Sequence, residues 1–168
     1  MKRSFLLCCI IVLFAQNANS QMLGDLYTEA RFSMSMPSGW ITRDVNQKYL
    51  MIIGPEDSGL TPNIGFGDED YNGPVSDFFD ERIGLFPKFY RDFSLLNRSG
   101  FTTNGRVTGE CITYLCTIGN VRVRQKMYAF SNRRRTSIVI ITGTAPVDSG
   151  DKYDGVFDAS VKTFRWIR

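Results

Sequence analysis

Histidine is absent from the 168 residues of this chain. Its absence removes the commonest general base near neutral pH, the Ser-His-Asp and Cys-His nucleophile arrangements, and histidine-ligated zinc. The chain has 17 acidic residues, so a hydrolase that uses a pair of carboxylates stays open as an alternative. Nothing in their spacing places two carboxylates across a cleft, and we therefore predict no catalytic residues and a protein that is not an enzyme.

Long hydrophobic runs are also lacking. The run from Phe5 to Phe14 is uninterrupted but covers ten residues, whereas a membrane-spanning helix needs about 20, so we predict no membrane span. Lys2 and Arg3 precede this run and the small residues Ala18-Asn19-Ser20 follow it, a pattern typical of a secretory signal peptide. We expect residues 1–20 to be that signal and residues 21–168 to form a single domain, exported to the periplasm or secreted.

The chain has no large excess of charge of either sign. Outside the expected signal peptide, 18 basic residues stand against 17 acidic ones. A protein that binds nucleic acid or another polyanion along its surface is usually strongly basic. The composition therefore argues against nucleic acid as a partner.

Cysteine is scarce, and only Cys111 and Cys116 lie outside the expected signal peptide. Export would favour a disulfide between them. Both lie in one segment with the pattern of a β-strand, where five residues at ~3.3 Å each separate their Cα atoms by roughly 16 Å. A disulfide needs Cα atoms within about 7 Å, so we predict two free thiols.

Strand patterns occupy most of the chain, with two helical patterns between and after them. The predicted strands cover residues 31–36, 41–45, 49–53, 61–67, 94–104, 109–118, 121–130 and 135–145. Residues 76–93 have aromatic side chains at helical spacing, although Pro87 should break or kink that helix near Phe86. Residues 149–164 have the pattern of a second helix.

Gly119-Asn120 separates two strand patterns and predicts a tight hairpin. If Ile118 lies opposite Val121, every cross-strand pair sums to 239, and partners share a face of the sheet. Cys116 then lies on a buried face. The opposite face carries three cations in a row and is expected to be wet or only partly covered.

Three stretches match, in order and spacing, a known pattern of sequence. They are Pro37-Ser38-Gly39-Trp40, the strand from Val121 to Gln125 and the ending Thr163-Phe164. Across residues 27–166 the chain resembles the PsbP superfamily, which includes DcrB and the Mog-type proteins. The resemblance implies an α+β fold, an antiparallel β-sheet flanked by helices in an α-β-α sandwich. It also implies non-enzymatic work, such as binding a partner or supporting an assembly, but it transfers no functional residue.

An acidic stretch at residues 68–73 is half of a calcium-binding loop. Asp68, Asp70 and Asn72 stand at ligand positions 1, 3 and 5, and Gly73 takes the position of the sharp turn. Position 12 should be glutamate but is Phe79, so any calcium site here would be weak. The alternative is a solvated acidic turn that precedes a helix.

Six basic residues are candidates for binding an acidic protein or an anionic ligand. Three lie in the row on the second hairpin strand and three in the turn after it: Arg122, Arg124, Lys126, Arg133, Arg134 and Arg135. Arginine binds carboxylates and phosphates through paired hydrogen bonds. The alternative is a solvated strand face and a charged turn that discourages edge pairing.

Overall fold

The computed structural model describes residues 23–29, 31–45, 48–132 and 134–167. The expected signal peptide, residues 1–20, lies outside these residues, and so does Arg133. Within the described residues no helix combines the length and the apolar composition that crossing a membrane requires.

Strands dominate the described residues, and two α-helices interrupt them. In chain order the elements are β1 (Leu23–Thr28), β2 (Phe32–Pro37), β3 (Ile41–Arg43), β4 (Met51–Ile53), β5 (Asn63–Asp70), α1 (Val75–Phe89), β6 (Arg91–Thr102), β7 (Thr108–Ile118), β8 (Val121–Ser131), β9 (Ser137–Pro146), α2 (Asp154–Val161) and β10 (Arg165–Trp166). A single 3₁₀ turn, Val147–Ser149, connects β9 to the segment before α2.

The strands form two antiparallel sheets. The larger sheet has seven strands in the order β3-β4-β5-β9-β8-β7-β6, and the smaller has three in the order β1-β2-β10. Helix α1 covers one face of the larger sheet, while α2 and the smaller sheet cover the other. This arrangement confirms the predicted α+β class, with the small sheet as an addition that the sequence pattern did not indicate.

The β7–β8 hairpin has the predicted register. Ile118 lies opposite Val121, Cys116 opposite Val123, and the sum of 239 holds along the ladder to Cys111 and Tyr128. Gly119 has a φ of +60° in the two-residue connection, a conformation that glycine adopts without a steric penalty. Cys111 and Cys116 are both buried and unbonded, which confirms the predicted free thiols.

The second face of the β7–β8 hairpin is partly covered, which is one of the two states expected for it: Cys111 and Tyr128 are buried, whereas Arg122 is exposed. The Cys116 face packs against Phe78, Phe79 and Phe86 of α1. The opposite face buries Cys111 and Tyr128 against α2 and β2. The extent of this cover was not predictable from the strand pattern, because α2 supplies both the apolar cover and the counter-charges for two of the three cations.

Helix α1 ends earlier than its aromatic spacing predicts. It continues through Pro87, where the sequence predicted a break or kink, because a proline in the last turn removes few of the hydrogen bonds that the helix needs. It ends at Phe89. Strand β6 begins two residues later, so Phe93 belongs to the sheet rather than to the helix. Phe93 still packs on Phe86, with ring centroids 5.5 Å apart.

Candidate functional site

A groove of about 900 Å³ lies at the end of the molecule where α1 begins. Its walls come from the start of α1, the β6–β7 and β8–β9 turns, the residue before β2, and β10. Among the described residues, four arginines line it: Arg31, Arg106, Arg135 and Arg165. We call this site the arginine groove. Its volume is within the range of about 300–1,000 Å³ that ligand pockets occupy.

Two turns of similar construction carry the arginines that are least engaged. In the β6–β7 turn the amide of Arg106 donates to the carbonyl oxygen of Thr103 at 3.0 Å, and in the β8–β9 turn the amide of Arg135 donates to that of Asn132 at 3.0 Å. Side chains reinforce both turns: Thr103 Oγ1 accepts a hydrogen bond from the amide of Val107 at 3.1 Å, and Asn132 Oδ1 accepts one from the amide of Thr136 at 3.0 Å. The turns therefore hold both arginines at the mouth of the groove by local hydrogen bonds.

Arg106 and Arg135 have backbone conformations that are unusual for arginine. Their φ angles are +59° and +55°, a left-handed region that glycine and asparagine adopt more readily. Such conformations cost free energy and tend to cluster at functional sites. The presence of arginine at both positions is consistent with a function for the side chains.

The charge of the groove is only partly balanced. Arg31 pairs with Asp68, which also accepts a hydrogen bond from Lys48 at 2.7 Å. Burial raises the pKa of Asp68, but hydrogen bonds from Lys48 and the charge of Arg31 outweigh it and hold that pKa below the ordinary value. The Asp68 carboxylate therefore stays ionised and balances one of these two cations.

The other groove arginines keep donors available. Arg165 Nε donates to Ser33 Oγ at 3.0 Å, and among the described residues the rest of its guanidinium forms no ion pair. Arg106 and Arg135 are exposed and form no ion pair within the described part of the chain. Glu110 is the one acid among the described lining residues, and it already accepts a hydrogen bond from Arg98 at 2.9 Å.

The start of α1 adds polar backbone to the wall. Pro74 precedes the helix without a capping side chain, so amides of the first turn lack an intrahelical partner. Pro74, Val75 and Ser76 line the groove. A helix N-terminus carries partial positive charge, which has the same sign as the charge of the arginines.

The predicted row of cations on β8 is mostly engaged within the molecule. Arg124 donates to both carboxylate oxygens of Asp154 at 2.9 and 2.7 Å, and Lys126 donates to Asp158 at 2.8 Å. Both aspartates belong to α2. Arg122 is exposed and forms no ion pair among the described residues, so it keeps its charge free. The prediction that this row binds a partner stays a prediction.

The three arginines predicted in the turn after β8 have different places. Arg133 lies outside the described residues. Arg134 is exposed and does not line the groove, whereas Arg135 does. The sequence therefore identified one groove arginine. It missed Arg31, Arg106 and Arg165, because each stands alone in the sequence and only the fold brings them together.

The first two candidate calcium ligands of the acidic stretch do not lie in a loop. Asp68 and Asp70 lie within β5, where they pair with Val139 and Ser137 of β9. Extended strand backbone cannot wrap around an ion as a loop does. Asn72 follows the strand and is exposed. The described residues contain no group of three or more acidic or cysteine ligands arranged for a metal ion; calcium binding stays a prediction without further support.

No family model and no curated protein matches the sequence. Solved structures do match. CyanoP, the cyanobacterial PsbP of Synechocystis sp. PCC 6803, is 15% identical with a TM-score of 0.60, covering 85% of this chain and 92% of that one. LpqN of Mycobacterium tuberculosis, described as involved in cell envelope biogenesis, is 13% identical with a TM-score of 0.60, covering 82% of this chain and 83% of that one.

A third match is PA94, a protein of unknown function from Pseudomonas aeruginosa. It is 14% identical with a TM-score of 0.58, covering 83% of this chain and 94% of that one. Identities at this level bear on fold and not on function. The order of strands and helices and these three likenesses agree with the resemblance seen in the sequence: the chain has the PsbP-like fold.

Proposed function

We propose that this chain is an exported, non-catalytic binding protein whose arginine groove takes an anionic partner. The observation that carries the proposal is the lining of the cavity: its described residues include four arginines and one acid, Glu110, which already accepts a hydrogen bond from Arg98. Guanidinium groups with free donors bind carboxylate or phosphate oxygens in pairs of hydrogen bonds. An anionic partner would supply the charge that the groove lacks.

The chemistry of the groove supports binding rather than catalysis. The chain has no histidine, and Glu110 is not accompanied by a second carboxylate among the described lining residues. A glycoside hydrolase needs two carboxyl groups that flank the bond it cleaves. Neither the carboxylate hydrolase nor the calcium module is therefore favoured by a feature of the groove.

Export is supported by the amino-terminal sequence and by one structural neighbour. Residues 1–20 have the charged, apolar and small-residue segments of a secretory signal. LpqN, which shares the fold, is described as involved in cell envelope biogenesis. We therefore place the binding function of this chain in the periplasm or outside the cell.

Charge reversal at the groove tests this function. We would compare capture from a native envelope fraction by the wild type, by the double variant Arg106→Glu/Arg135→Glu, and by Arg122→Glu. The double variant should lose an acidic partner that the wild type retains, because two added carboxylates repel it. Arg122→Glu is the matched control, since Arg122 is exposed but does not line the groove.

Three results would contradict the proposal. Equal capture by the wild type and the double variant would exclude the groove. Loss of capture with Arg122→Glu alone would return the function to the cationic row on β8. Turnover in a broad panel of hydrolase substrates, abolished by the double variant, would show that the groove is catalytic. Circular dichroism of each variant should show the wild-type fold.

A further inference from the structure

We infer that the arginine groove binds an extended acidic peptide segment of a protein partner, which adds to the free edge of β10. This inference rests on the proposed function and specifies the class of its ligand. The observations behind it are an edge strand in the groove wall, the spread of the arginines over separate elements, and the mixed polar and apolar lining.

Strand β10 contributes both of its residues, Arg165 and Trp166, to the groove wall. It is the outer strand of the three-stranded sheet, and among the described strands it pairs with β2 alone. The amide of Ile167 donates to the carbonyl of Arg31 at 2.9 Å, so Arg31 and Ile167 form a hydrogen-bonded pair. Hydrogen-bonded pairs alternate along an antiparallel ladder, and the amide and carbonyl of Trp166 therefore point away from β2.

The edge strand β10 and the groove arginines line the same cavity. Trp166 and Arg165 of β10 line the groove together with Arg106 and Arg135 from the two turns. A peptide that pairs with Trp166 would place alternate side chains on opposite sides of its own backbone. Carboxylates on one side then meet guanidinium groups, which form strong charge-assisted hydrogen bonds with them. Strand addition of this kind is a recurrent mode of peptide recognition.

The same lining disfavours other anions. A single phosphate would occupy a small part of about 900 Å³, and it would leave apolar Val75, Val107 and Trp166 without contact. A nucleic acid would meet a chain whose charge outside residues 1–20 is almost balanced. A peptide that mixes acidic and apolar residues satisfies both parts of the lining.

Tryptophan fluorescence can report peptide binding in the groove. The chain has two tryptophans: Trp166 lines the groove, while Trp40 is buried in the core with 9% of its surface exposed. We would titrate the full mature chain with a synthetic octapeptide that alternates glutamate and valine, and follow tryptophan emission. Matched probes are the same peptide with glutamine for glutamate, the acidic peptide with alternate backbone amides N-methylated, and inorganic phosphate at equal ionic strength.

The acidic peptide should shift the emission of the wild type and bind at least about tenfold more weakly to Arg106→Glu/Arg135→Glu. Arg43→Glu, at an exposed arginine of β3 that does not line the groove, should bind it as the wild type does. The glutamine peptide and phosphate should not bind, and N-methylation should weaken binding at least about tenfold because it removes backbone donors. Trp166→Phe should abolish the emission change while calorimetry still detects binding.

The outcomes separate this inference from the proposed function. If the double variant loses its envelope partner but no acidic peptide binds the wild type, the peptide assignment is overturned and the groove keeps its binding function. Binding of phosphate in place of the peptide would likewise replace the ligand class. Full binding of the N-methylated peptide would overturn strand addition to β10. If neither the partner nor the peptide depends on Arg106 and Arg135, both proposals fail.

Discussion

Two buried tyrosines show that the contribution of a residue to stability depends on whether its hydroxyl group has a hydrogen-bond partner. Tyr114 and Tyr128 are fully buried on opposite faces of the larger sheet. The Tyr128 hydroxyl donates to Asp158 Oδ1 at 2.7 Å, whereas the Tyr114 hydroxyl has no partner among the described residues. Burial raises the pKa of both phenols above the ordinary value, so both stay protonated. A buried hydroxyl without a partner costs about 1–3 kcal/mol.

We expect Tyr114→Phe to raise the free energy of unfolding by about 1 kcal/mol, because phenylalanine fills the same space without a stranded hydroxyl. The matched variant Tyr128→Phe should lower it by about 1–3 kcal/mol, because one oxygen of the Asp158 carboxylate loses its donor. Urea unfolding followed by circular dichroism measures both changes. Equal destabilisation by the two substitutions would contradict the expectation.

The prediction that both cysteines are free thiols depended only on the spacing of residues along a strand. Regular strand spacing kept Cys111 and Cys116 too far apart to bond, and the structure confirms two buried thiols. Burial raises the pKa of Cys116 to about 11 and also raises that of Cys111. Both thiols are therefore protonated near neutral pH and poorly nucleophilic.

The packing of whole elements depends on one glycine where α2 meets β9. A β-carbon at Gly143 would lie 2.5 Å from ring atoms of Phe157, and Phe157 is buried. A glycine inside a strand commonly marks such a close approach. The helix reaches the sheet at this position because the strand offers no side chain there.

Gly143→Ala should lower the free energy of unfolding by about 1–3 kcal/mol, since a rigid ring at the base of α2 must move. Gly100→Ala is the matched control in β6, where no atom lies within 4 Å of the added carbon. Its effect should stay within about 0.5 kcal/mol. Thermal unfolding of the two variants gives the comparison. Similar losses at both positions would show that contact with Phe157 is not the cause of the loss at Gly143.

At the scale of the whole molecule, Asp57 forms hydrogen bonds that link two parts of the chain that are distant in sequence. It lies in the connection between β4 and β5, and it accepts hydrogen bonds from Lys152 at 2.7 Å, Tyr153 at 2.8 Å and Ser149 at 3.1 Å. These partners are 92 to 96 residues away in the sequence. Hydrogen bonds from Lys152 and Tyr153 hold the pKa of Asp57 well below its ordinary value.

This contact makes stability depend on pH in a definite direction. The folded pKa lies below the unfolded value of about 3.9, so the stabilisation is fully present above about pH 4 and is lost as pH falls through the folded pKa. Asp57→Asn should unfold at a lower temperature than the wild type at pH 7, and the difference should shrink below pH 4. Asp148→Asn, an exposed control on the nearby 3₁₀ turn, should match the wild type throughout. A constant difference from pH 7 to pH 3 would contradict the assignment.

Much of the fold was predictable because it depends on neighbours in the sequence. Alternation and Gly119-Asn120 determined the β7–β8 register, including which residues share a face. The end of α1 was not predictable from spacing, because Phe93 keeps helical spacing with Phe86 while lying on a strand that packs beside the helix. Aromatic side chains from a helix and from the strand after it can pack into one core, and their spacing in the sequence then does not show where the helix ends.

By itself the sequence determined the two free thiols and the antiparallel hairpin, since both follow from local geometry and residue type. The α+β class came from the resemblance of the sequence to the PsbP superfamily. Tertiary structure alone decided which cations remain available. Helix α2 neutralises Arg124 and Lys126 through aspartates about 30 residues further along the chain. Arg31, Arg106, Arg135 and Arg165 gather around one groove. Charge acts through space, and distances in space between remote residues exist only once the chain has folded.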